Sequence, residues 1–311
     1  MKKLQKDIFI AYISHFLILS SSILFFLIIS NQISVEDYGL YQRYNSWILF
    51  SGFFLSFGFE SVLLRFSPDL KKKFFKEFNF FAIQIILIRI SVIILFYFIV
   101  KLIISNKIID FEILLFLILL FSQVRTLISH YFLAISDLLF ERIINSGLSV
   151  LKLLFVLILI DNLDVKLIFY IIFYSELLIL FLYILKLLIN RSYVFKKNKL
   201  KEKSKILKFG YQSYLNRLVN NLYEISFFVI LIDFFQLGLT ELSFFAFSYV
   251  ILNILYTLNL FTVLEQHLAV YLKNIYNKSI KDFKLKINLL SRSSIIIQMF
   301  VLVFSIPFKA L

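Results

Sequence analysis

The chain has 311 residues, 61% of them hydrophobic and only 17% charged, with a formal charge of +14. A water-soluble domain averages about 45–50% apolar and about 25% charged residues, so this much hydrocarbon excludes a soluble fold and requires a bilayer as solvent. The basic residues fall in short runs between long apolar segments and not along one polar face, which argues against nucleic-acid binding, and the lack of cysteine removes disulfides, thiolate metal sites and thiol catalysis.

About twenty apolar residues cross a bilayer as a helix, and the runs here have that length, without the short alternating strands of a barrel. In chain order the predicted spans are 8–30, 43–64, 78–100, 111–135, 143–160, 167–189, 209–235, 243–265 and 287–308. The first follows Lys2, Lys3 and Lys6, yet it is too long for a signal peptide and lacks a small-residue cleavage site. The expected fold is therefore an all-α polytopic membrane protein with about nine transmembrane helices.

Lys and Arg set the expected orientation. Segments 1–7, 65–77, 136–142, 190–208 and 266–286 hold three, five, one, eight and five of them, against three in all on the intervening loops. This asymmetry predicts a cytoplasmic N-terminus and explains the net charge through topology and contact with anionic membrane lipids. Tyr38, Tyr41 and Trp47 read as anchors at the outer boundary, and Gly39 as a turn residue.

The main compositional break is the basic stretch 190–208, NRSYVFKKNKLKEKSKILK. It divides a six-helix N-terminal bundle, 1–189, from an incomplete C-terminal bundle, 209–311, of about three helices. The second part reads as a repeat of the first at an offset of about 200 residues, with a short external loop in each, SVEDYGLYQ and LGLTELSFFAFSY, leading into a span and then a basic loop. Duplicated halves with a site between them are a recurring construction of transporters.

Two stretches, SVEDYGLYQ at 34–42 followed by FGFESVLLRFSPDL at 57–70, resemble the start of the bacterial oligosaccharide flippases of the polysaccharide-export type, within the superfamily of multidrug and lipid exporters. LKFGYQSYLNRLVNNL at 207–222 is similar to that family's seventh helix. The resemblance implies two bundles of twelve to fourteen helices in all, so about nine would mean a truncation at the C-terminal end. It further implies transport of a lipid-linked oligosaccharide across the bacterial cytoplasmic membrane, beside other polysaccharide assembly proteins, with no cofactor and no metal.

Ionisable residues within spans are costly, about 2.5–3.5 kcal/mol at a helix centre, and tend to face a bundle interior or a wet cavity. Arg89, Arg125, Lys152 and Arg217 are the candidate cations, with Asn221 beside them and Glu176 and Glu224 as candidate ion-coupling acids. Spacings of three and four place Ser122, Arg125 and Ser129 on one stripe, Asn145, Ser149 and Lys152 on another, and Ser213, Arg217, Asn221 and Glu224 on a third. Such stripes suit an anionic substrate, since arginine matches phosphate geometry. The alternative is that the charges pair with each other, Arg217 with Glu224 or Lys152 with Glu176, and fix helix packing. Glu60 and Asp233 are further candidates for ion coupling, but both lie near span ends, where solvation is the stronger reading. A competing class is a membrane glycosyltransferase using Glu36 and Asp37 in the first external loop, and a third is a nontransporting remnant.

Overall fold

The computed structural model describes residues 2–73, 75–103, 112–134, 138–189, 203–221, 225–235 and 238–257, together with positions 279, 280, 284 and 288. Nearly all of the predicted ninth span, most of the basic stretch 190–208, Glu224 and the side chain of Asn221 lie outside the described residues. Within them the fold is all-α. It comprises α1 (Lys2–Gln32), α2 (Val35–Phe54), α3 (Phe59–Lys73), α4 (Phe75–Ile103), α5 (Glu112–Ala134), α6 (Leu138–Ile158), α7 (Val165–Ile189), α8 (Lys203–Asn221), α9 (Ile225–Phe234) and α10 (Leu239–Thr257).

Among the described residues, Ile13–Gln32, Glu112–Leu133 and Val165–Ile189 are long and apolar enough to cross a membrane, and α2 with the start of α3 makes a fourth if the bent pair is one span. Helix α7 shows why water is the wrong solvent. Its exposed face carries Leu177, Leu178, Phe181 and Leu188, whereas Ser175 and Glu176 are buried. Hydrocarbon outside and charge inside is the pattern a lipid-facing helix requires. By length and composition the protein is a multi-pass membrane protein.

The first predicted external loop is mostly helix. Only Ile33 and Ser34 separate α1 from α2, and Ser34 caps α2: its hydroxyl accepts the Asp37 N–H at 3.1 Å and donates to the Asp37 carboxylate at 2.8 Å. Glu36 and Asp37 thus form the first turn of a helix instead of an acidic loop pair. Tyr38 and Tyr41 are buried rather than interfacial, and only Trp47 of the three predicted anchors is exposed. Segment 65–77, read as a loop, is helical except at the undescribed position 74.

The predicted straight span 43–64 is broken. Helices α2 and α3 meet at 54°, and the joint carries two residues with left-handed backbone, Phe57 at φ 49° and Gly58 at φ 67°. Glycine takes that conformation without the steric cost other residues meet, and a Cβ at Gly58 would also lie 2.9 Å from the Tyr214 nitrogen of α8. The joint is fastened by the Tyr214 hydroxyl, which donates to the Phe54 carbonyl at 3.1 Å.

Helix α1 packs along α6, α5 along α7 and α3, and α2 along α9 and α10, while α3 meets α8. The two sides of the basic stretch are therefore interlocked through α2 and α3. Gly39 serves this contact and not a turn, for a Cβ there would strike the Leu239 carbonyl of α10. Reciprocally, the Ser243 hydroxyl of α10 donates to the Val35 carbonyl of α2. Gly39 stands over Leu239 as Ser243 stands over Val35, the self-complementary pattern that a two-fold relation between two helix starts produces.

Candidate functional site

Two apolar cores divide the bundle, and the ionic residues sit between them. On α4, Ile85 belongs to one core and Ile93 to the other, with Arg89 midway; on α7, Ile179 and Ile172 flank Glu176 in the same way. On α5, Ile118 and Leu127 lie either side of Gln123 and Arg125, and the α2–α3 joint puts Leu55 in one core, Val62 in the other and Glu60 between. The charges thus form a layer between the two cores, in which Glu60, Glu176 and Arg89 are buried and must find partners.

The layer resolves into two clusters. In the first, Glu60 is 2% exposed and takes two arginines: Arg89 Nη1 at 2.5 Å from one oxygen and Arg217 Nη1 at 3.2 Å from the other. Arg89, only 1% exposed, also donates to the amide oxygen of Gln123. That amide reaches the guanidinium because Gly52 of α2 has no Cβ to occupy its place. Arg217 is more open, its side chain 36% exposed.

The second cluster is built on Glu176. Arg125 Nε lies 2.5 Å from one of its oxygens and Lys152 Nζ 3.2 Å from the other. Arg125 also donates to Asn145 Oδ1 at 3.1 Å, and Asn145 donates in turn to Ser129 Oγ at 3.2 Å and to the Glu141 carboxylate. Ser129 donates to the same carboxylate at 2.9 Å. All of these groups belong to α5, α6 and α7.

Of the predicted stripes, Arg125 with Ser129 and Asn145 with Lys152 are brought together, whereas Ser122 turns back to the Leu119 carbonyl of its own helix. The Lys152–Glu176 pairing considered from the sequence is present. Arg217 faces Glu60. Glu60 itself is a correction: it is buried at the heart of a cluster, not solvated at a span end, because the helix breaks and restarts just before it. Asp233 pairs with Arg43, with Trp47 Nε1 3.5 Å away. Sequence reasoning did not single out Gln123 or Glu141, although a lone amide within an apolar run is a signal that could have found the former. Two cavities of about 160 and 200 Å³ are lined by residues other than the four candidate cations.

The protein is thus of the all-α, multi-pass membrane class, and among its described residues Glu60 and Glu176 each hold two cations. No family model matches it. No curated protein resembles it in sequence. A solved structure, that of a protein called protein A, has a similar fold, with a TM-score of 0.62 over 86% of this chain at 15% identity, and this chain spans 64% of its length.

Proposed function

We propose that the protein moves a lipid-linked, anionic oligosaccharide across the bacterial cytoplasmic membrane, its N-terminus on the cytoplasmic side, as a member of the oligosaccharide flippases that its sequence resembles. In this reading about nine spans divide into a six-helix bundle and an incomplete second bundle, and the two rock against each other to give alternating access. The reciprocal contact of α2 with α10 supports the internal duplication on which this depends.

The observation that carries the proposal is the charge balance of the layer. Arg89 and Arg217 share Glu60, and Arg125 and Lys152 share Glu176; with the Glu141–Arg142 pair added, five cations face three acids among the described residues. Packing alone calls for matched pairs, because a buried uncompensated charge costs several kcal/mol. Surplus positive charge suits a phosphate or pyrophosphate that arrives with the substrate and supplies the missing anion. Arg217 is the group best disposed to meet it, being partly exposed and bound to Glu60 by one nitrogen.

The test is movement of a fluorescent, pyrophosphate-linked oligosaccharide between leaflets of vesicles containing the full-length protein. Transport should fall about tenfold or more in Arg217→Ala, the worth of a contact of about 1.4 kcal/mol. Unchanged transport in the alanine variants of all four cations, at equal protein levels, would defeat the reading.

A further inference from the structure

The cavity of about 200 Å³ lies among α1, α2 and α10, away from the ionic layer, and among the described residues no charged group lines it. Its walls combine aromatic faces, Phe25, Phe26 and Tyr41, with the polar groups of Gln42, Asn45 and Ser46. These polar groups are poorly served by the protein. Gln42 is buried and its amide donates to the Tyr38 hydroxyl at 2.6 Å, which leaves its carbonyl oxygen without a donor among the described residues. Ser46 is 1% exposed, and neither its hydroxyl nor the Asn45 amide has a hydrogen-bond partner among those residues. Buried polar groups are normally paired, and leaving one unpaired costs about 1–3 kcal/mol.

We infer that this cavity is a binding site for one uncharged sugar ring. Hydroxyls of a hexose would satisfy the Gln42 carbonyl, the Asn45 amide and the Ser46 hydroxyl together, while its C–H face lies on the aromatic rings. An anion has no cation to meet here, and a purely apolar guest would leave the three polar groups unpaired. Size agrees: at about 200 Å³ the cavity is below the ~300–1,000 Å³ of drug-sized pockets. The site therefore takes a single ring and not a string of them. The choice of a sugar over another small polyol rests on the proposed oligosaccharide substrate, whose phosphate end the ionic layer would hold separately.

The experiment uses the full-length protein in lipid nanodiscs, free of sugar-headed detergent, with glucose, galactose and N-acetylglucosamine as probes in saturation-transfer difference NMR. At about 10 mM ligand a site of millimolar Kd is about nine-tenths filled, so transfer from the aromatic protons to at least one probe is expected. Two variants should each abolish it: Asn45→Leu with Ser46→Ala, which removes hydrogen-bonding groups, and Val250→Phe, which fills the cavity from α10. Transfer to none of the probes, or transfer that persists in either variant, overturns the site. Vesicle transport is read separately: sugar binding without transport rejects the flippase and keeps the site, whereas transport without sugar binding rejects the site alone.

Discussion

The Glu60 and Glu176 clusters share a formula, one carboxylate between two cations in the layer between the cores, yet they are built differently. Glu176 is enclosed by three consecutive helices and backed by Asn145, Ser129 and Glu141, so its partners are themselves held. Glu60 gathers Arg89 from α4 and Arg217 from α8, beyond the basic stretch, and the latter is partly exposed. The first arrangement is a strut confined to α5, α6 and α7; the second is a tie that joins α3 and α4 to α8, across the basic stretch, through a partly exposed pair.

The largest expected effect is on the strut. Glu176→Gln strands Arg125 and Lys152 and should cost about 3–5 kcal/mol of stability, measured by denaturant unfolding in lipid micelles. Replacing the trio together, Arg125→Met, Lys152→Met and Glu176→Leu, should recover most of that loss, since apolar side chains of similar size replace buried ions well. Failure of the trio to recover would mean that the cluster does more than brace.

Next in size is the joint that aims Glu60. Gly58→Ala forces a side chain into left-handed backbone, about 1–2 kcal/mol, and presses on α8 besides. It should lower transport as well as stability, whereas a loss of stability alone would remove the joint from the working part of the molecule.

The smallest stability change belongs to Arg217→Ala. A partly exposed ion pair contributes about 1 kcal/mol or less, so the unfolding midpoint should barely move while transport falls. If this variant proves as unstable as Glu176→Gln, the distinction between strut and tie is lost.

Much of the bundle was legible because hydrocarbon runs of helix length have few other destinations. The span over 167–189 and α7 nearly coincide, and the stripes on α5 and α6 correctly grouped Arg125 with Ser129 and Asn145 with Lys152. What periodicity could not give was tertiary. Gly39 has the composition of a turn residue, and only the approach of α10 reveals it as the place where two backbones nearly touch. Glu60 stands shortly before the basic segment that opens at Arg65, so a hydropathy window puts it at a membrane edge; two unusual φ angles, invisible in composition, return it to the interior. Likewise Tyr38 and Tyr41 have the chemistry of headgroup anchors, and burial against Phe26 of α1 and Phe169 of α7 assigns them otherwise.

The break between α2 and α3 has an electrostatic yield of its own. In an uninterrupted rod Glu60 would stand beside amides already committed to the turn below; with a fresh start at Phe59 it falls in the opening turn of α3, where the aligned peptide dipoles amount to about half a positive charge. That charge is made of backbone, cannot swing away and appears in no tally of lysines and arginines. Were Arg217 drawn off to another anion, the carboxylate would still face Arg89 and the head of its own helix.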